Sequence, residues 1–324
     1  MRIFFNDAGR LRSGWRVLLF VLAFFLIITL LVNTVLRLAY ALLHNFGPQI
    51  PHADFLADLV FRFTMLAAAL GAGYLCARLL ERLPWRSLGL TLHRGWVRDL
   101  LLGFAIGFVS LALAVVIAAV AGGLRFSFAG ASASGAMLRS LAGTLVILFV
   151  AALAEEALFR GYGLQTLTRA QLAALGLLLT SVPFGLAHLG NPNVVRGVTF
   201  ANTALAGIWL GVAYLRTRSL WFPLGLHWSW NWGLGWFFGL PISGSNVVSN
   251  PLFQGNDLGP AWLTGGSYGI EGGVACTITL VVFTIFVWRL PWVHATPELY
   301  QLTSKENPVL QTPVVNIQSA DDAA

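Results

Sequence analysis

Ala154-Glu155-Glu156-Ala157-Leu158-Phe159-Arg160-Gly161-Tyr162 directly follows a long apolar run that extends from Ser140 to Leu153. Two carboxylates and a guanidinium therefore stand where a membrane helix should be apolar. An ionisable group at membrane depth costs about 2.5–3.5 kcal/mol on insertion scales, so each one needs a reason to be there. Glu155 and Glu156 are also the only acidic residues between Asp99 and Asp257. Helix geometry separates the two. Glu156 and Arg160 are four apart, share a face and can form an ion pair. Glu155 points about 100° away, toward the face of Phe159, and needs another partner.

The surroundings are consistent with a membrane setting. The chain has 324 residues, of which 57% are hydrophobic and only 10% charged, with 12 Trp and 23 Phe; a soluble domain carries about 25% charged residues. The ten-residue alternating strands of an outer-membrane barrel are not visible. The expected class is all-α, a polytopic bundle of about eight membrane helices over 15–43, 55–80, 99–121, 138–169, 172–189, 198–216, 221–240 and 273–292. Each is judged against the roughly 20 apolar residues a span needs. Val17–Val32 reads as a retained first helix rather than a cleaved signal, because its apolar character continues past a normal signal core.

The net charge of +7 does not point to nucleic acid. The arginines sit at the ends of apolar segments and read as topology signals. They place both termini in the cytoplasm, with Arg10, Arg12 and Arg16, then Arg78 to Arg98, then Arg169, Arg216, Arg218 and Arg289 on that side. Arg125, Arg139 and Arg196 fall near the outer edge. The expected organisation is 1–137 for helices 1–3, 138–240 for a catalytic core of helices 4–7, 241–292 for an outer loop and helix 8, and 293–324 for a polar, disordered cytoplasmic tail. Leu83–Leu90 reads as a cytoplasmic turn. Residues 241–272 form the longest outer loop, with no legible chemistry. Cys76 and Cys276 lie in apolar runs and read as small buried hydrophobes.

Three further polar residues stand alone in apolar helices. Phe184 and His188 are four apart, so the ring can wall the imidazole. His227 and Asn231 share a face in the seventh helix. Glu155, His188, His227 and Asn231 thus lie on three helices that a bundle can bring to one cavity. Glu155 lies ~21 Å above the turn near Arg169, and His188 ~27 Å up the next helix. His227 is only ~12 Å above the turn near Thr217, and meets them only if its helix is tilted or displaced. A carboxylate beside a His can deprotonate water, and a second His with an Asn can donate hydrogen bonds to an oxyanion. Zinc held by Glu155, His188 and His227 is the alternative use of the same residues, although HExxH is absent.

Glu155-Glu156-x-x-x-Arg160, Phe184-x-x-x-His188 and His227-x-x-x-Asn231, in that order, resemble the CPBP family of intramembrane endopeptidases. These include the CAAX prenyl protease 2 (Rce1-like) and bacteriocin-processing Abi proteins. Ser87-Leu88-Gly89-Leu90 also looks like a segment many relatives carry between helices two and three. The resemblance implies a conical cavity open to the membrane or cytosol. It implies that Glu155 and His188 activate water, that His227 and Asn231 stabilise the oxyanion, and that Glu156, Arg160 and Phe184 support the site. The family was long classed as metalloproteases; the resemblance favours a glutamate mechanism without a cofactor.

The expected protein is a multi-pass cell-membrane endopeptidase of a bacterial inner membrane. It would act on a peptide or protein substrate near the cytoplasmic face, within the lipid bilayer and without nucleic acid. A non-catalytic immunity or peptide-binding protein on the same fold is the alternative. A proton-coupled transporter is a third class, against which stands the lack of a visible inverted repeat.

Overall fold

The computed structural model describes residues 3–6, 9–46, 53–129 and 134–304. Helix α1 (Ser13–Phe46) and α2 (Ala53–Leu80) lead to a 3-10 turn at Trp85–Leu88 and to α3 (Trp96–Val120). After strand β1 (Leu124–Phe128) comes α4 (Ser134–Glu156), which runs through a π-helical segment (Ala157–Leu164) into α5 (Gln165–Arg169). Then follow α6 (Ala173–Ala187), α7 (Val198–Thr217) and α8 (Trp221–Trp232), the last continued by a second π segment, Gly233–Phe237. Strand β2 (Phe253–Asp257), the short α9 (Ala261–Thr264), α10 (Val274–Arg289) and α11 (Pro297–Ser304) complete the order. The two strands pair antiparallel, with Leu124 opposite Asp257.

This is the expected polytopic helical bundle. Among the described residues, six helices are long and apolar enough to span a bilayer: Ser13–Ala39, Phe55–Leu80, Trp96–Val120, Gly135–Arg169, Ala173–Gly190 and Val198–Thr217. The expected seventh and eighth segments are helical but shorter. Segment 273–292 becomes the 16-residue α10. Segment 221–240 becomes the 12-residue α8 and its π continuation. Helix α8 need not match the bilayer because it is held inside the bundle, with Phe222, Leu224 and Leu226 at 0% exposure. Lipid-facing positions look different: Leu22, Phe25, Leu26 and Leu30 are 57–62% exposed on α1.

Helices α3 and α8 meet backbone to backbone. A Cβ on Gly103 would lie 2.3 Å from the Phe222 carbonyl oxygen, and one on Gly225 2.2 Å from that of Leu100. Small residues at such crossings let membrane helices approach closely, where packing rather than the hydrophobic effect holds them. The segment Leu83–Leu90 is partly set into the bundle. Ser87 and Leu88 are buried, and the Gly89 carbonyl accepts the Leu220 N–H at 2.9 Å. The residue before α8 is thus tied to this segment.

The arginine-bearing connections gather at one end. Glu81, at the end of α2, is 3% exposed and takes Arg16 from α1 on Oε1 and Arg169 from α5 on Oε2, the latter at 3.0 Å. The Thr166 hydroxyl donates to Glu81 Oε1 at 2.6 Å. Arg86 pairs with Glu298, and Arg216 donates to the Leu290 carbonyl at 2.6 Å. The start of the expected disordered tail is instead α11, which seats Leu299 and Thr303 at 1% exposure. The Gln171 side-chain amide donates to the Ser304 carbonyl at the last residue of α11. The remainder of the tail, 305–324, lies outside the described residues. Cys76 and Cys276 are buried free thiols.

Candidate active site

Glu155 and Glu156 close α4 where the helix widens into its π segment. Such wide turns are rare and tend to accompany functional sites, because they re-aim side chains that regular geometry would stack. Glu156 is fully buried, and its Oε1 accepts from Arg160 Nη1 at 3.0 Å, the pair expected from their spacing. The same oxygen also accepts from His227 Nδ1 at 2.9 Å. Arg160, likewise at 0% exposure, donates its other terminal nitrogen to the Gly207 carbonyl at 3.1 Å. Its guanidinium lies 4.6 Å from the Phe184 ring centroid and 5.8 Å from that of Phe159. One carboxylate thereby links α4, α7 and α8.

Glu155 is placed differently. Its side chain is 27% exposed, and its Oε2 stands 3.7 Å from His227 Nε2, beyond hydrogen-bond length. That oxygen is buried and has no hydrogen-bond partner among the described residues.

His188 does not lie within α6 but caps it and opens the 3-10 turn His188–Gly190. Its Nδ1 is 2.7 Å from the Phe184 carbonyl oxygen. A carbonyl only accepts, so Nδ1 carries the proton and Nε2 is left to other partners. Phe184 stands 4.7 Å from the His188 ring and 6.1 Å, edge-on, from the His227 ring. The wall expected for one imidazole therefore serves two, and a guanidinium as well.

Glu155, His188, His227 and Asn231 all line one cavity of about 390 Å³. Sequence reasoning missed other groups that line it: Glu271, Ser243, Asn202 and Arg62. Glu271 comes from the loop that carried no legible chemistry. Its Oε2 accepts the Ser243 N–H at 2.6 Å and hydroxyl at 3.0 Å, and its Oε1 accepts the Trp230 indole N–H at 3.1 Å. Asn202 of α7 donates to the Glu271 and Gly273 carbonyls. The signals were present but faint: a lone acid in Gly269-Ile270-Glu271-Gly272, and a lone amide and a lone guanidinium in apolar helices.

The zinc alternative has no donor set. Among the described residues, no group of three or more His, Cys, Asp or Glu side chains is gathered to hold a metal ion.

Residues 137–233 match the family model described as Rce1-like, type II CAAX prenyl endopeptidase Rce1-like. The match spans nearly all of α4 through α8, the segment that carries all three motifs. No curated protein matches the chain, and no solved structure matches it.

Proposed function

From an Rce1-like core in residues 137–233, we propose that this chain is an intramembrane endopeptidase that hydrolyses a peptide bond of a membrane-associated substrate by way of an activated water. The observation that carries this reading is Glu155, which lines one cavity with two imidazoles and an amide and keeps a buried Oε2 without a hydrogen-bond partner. Glu155 takes a proton from water, and the hydroxide attacks the scissile carbonyl. His188, with Nε2 uncommitted, holds or relays that proton toward the leaving amine. His227 and Asn231 donate to the oxyanion as it forms, the kind of stabilisation that acts only once charge develops. For His227 this requires a proton on Nε2 as well as on Nδ1, and that form brings the set Glu155, Glu156, Arg160 and His227 to zero net charge. Glu156, Arg160 and Phe184 hold His227 and the π segment in place.

The test is a comparison of terminally labelled peptides from membranes that carry the native protein with those that carry Glu155→Gln at equal abundance. New termini that depend on the carboxylate support the proposal. Identical sets of termini overturn it.

A further inference from the structure

We infer that the cavity works from the face opposite the arginine-rich one, so that its substrates are peptide segments presented on the non-cytoplasmic side of the membrane. The inference rests on the endopeptidase reading for the word substrate, but not for the direction of opening. It departs from the cytoplasmic-face cleavage expected from sequence.

Two observations carry it. The first is the sorting of arginines. Connections at the end that holds Glu81 carry Arg82, Arg86, Arg94, Arg98 and Arg218, and helices reaching that end finish at Arg78, Arg169, Arg216 and Arg289. They form one end in space, since Arg16 and Arg169 meet on Glu81 and Arg98 donates to the Trp292 carbonyl. The other end holds fewer: Arg125 and Arg196 in its described connections and Arg139 near the start of α4. Short loops rich in Arg stay in the cytoplasm.

The second observation is what walls the cavity. Among the described residues, the loop positions that line it come from the connections after α6 and after α8: His188, Asn191, Ser243, Ser245, Val247 and Glu271. None comes from the connections at the arginine-rich end. In that direction the chain is closed, with Tyr162, Leu164 and Thr166 at 0% exposure beneath the site. A second cavity of about 680 Å³ continues outward from the first. It shares Arg62, Leu148 and Val247 with it and runs between α2 and α4 past Asp58, Arg139 and Asn250. An extended segment held at the bilayer surface has a route along it to Glu155.

The experiment separates direction from chemistry. Val247→Cys, 59% exposed at the cavity mouth, and Leu92→Cys, 67% exposed at the arginine-rich end, are labelled with a membrane-impermeant maleimide in sealed vesicles of each orientation. Leu258→Cys, 57% exposed, stands in should Val247→Cys fail to fold. The expected result is loss of Val247→Cys labelling in right-side-out vesicles whose outer face has been blocked beforehand, with Leu92→Cys labelled only in inverted ones. The reverse pattern overturns the inference. In parallel, the termini that depend on the Glu155 carboxylate are mapped onto their parent proteins. Cuts in non-cytoplasmic segments support the inference, and cuts confined to cytoplasmic segments overturn it. If labelling follows expectation while no cut depends on Glu155, the cavity opens as inferred and the endopeptidase reading falls instead.

Discussion

The molecule buries two carboxylate clusters, and they are built to opposite ends. At the arginine-rich end, Glu81 has both oxygens engaged, with Arg16 and Thr166 on one and Arg169 on the other. Two guanidinium groups close over one carboxylate, and three separate segments are tied together. In the middle of the bundle, Glu156 has one oxygen engaged twice and the other without a partner, and Glu155 beside it lines a cavity and has an unpartnered oxygen of its own. Burial of charge is thus common to both and diagnostic of neither. What marks the second cluster is acceptor capacity left open beside a cavity. An unpaired buried polar group costs about 1–3 kcal/mol, more when charged. A fold that keeps one has given up stability for something else.

The sharpest way to break the comparison is Glu155→Gln. It should lower kcat on a labelled peptide by about 10²–10⁴, the usual contribution of a positioned base. The melting temperature should hold, because Oε2 makes no hydrogen bond that the amide would lose. Next in size is Glu81→Gln, with the opposite signature. Removing one partner from a buried ion pair costs about 3–5 kcal/mol, here with two cations left behind. Thermal unfolding in detergent should fall accordingly, while turnover per folded molecule stays as before. A Glu81→Gln protein of native stability and poor turnover would erase the distinction drawn between the two clusters.

This contrast also explains what was legible in the sequence. Glu155, His227 and Asn231 stood out because each interrupts an apolar helix, and His188 because it ends one, where a polar residue is conspicuous whatever the tertiary structure. Glu81 was not, because it stands between Arg78 and Arg82 at a helix end and looks like any residue in a charged loop. Its burial arises only when α1 and α5 deliver arginines from 65 and 88 residues away. Glu271 was hidden for a related reason: its loop reads as a polar linker until Ser243 and Trp230 fold onto its carboxylate. Helix lengths were overstated for 221–240 and 273–292, since apolar composition does not reveal that Gly233 begins a π turn or that α8 is sheltered from lipid. The short β1–β2 pairing was not anticipated either, because five-residue strands with mixed exposure carry little periodic signal.

A smaller effect tests how the open cluster divides its labour. Asn231→Ala removes a candidate oxyanion donor without touching Glu155, Glu156 or Arg160. The expected loss is about 10²–10³ in kcat, in the range of one oxyanion-hole donor. KM should be unchanged, because the interaction exists only once charge has developed on the carbonyl. A rise in KM at constant kcat would assign Asn231 to substrate binding and leave His227 as the oxyanion donor.

The smallest expected effect concerns the aromatic lid on the cluster. Phe184→Leu keeps the apolar volume but removes the face on which the Arg160 guanidinium rests at 4.6 Å. A desolvated contact of this kind is worth up to about 2 kcal/mol. Arg160 retains Glu156 and the Gly207 carbonyl, so the protein should fold with a modestly lower melting temperature. The same ring flanks both imidazoles, and its loss should also lower turnover, though by less than Asn231→Ala does. Should stability fall with turnover per folded molecule intact, Phe184 serves the cation alone and the imidazoles are oriented by their Nδ1 hydrogen bonds. Should turnover fall at unchanged stability, the ring's work is to set the angle of His188 and His227. In that case the open cluster is held by aromatic contact where the closed one is held by charge.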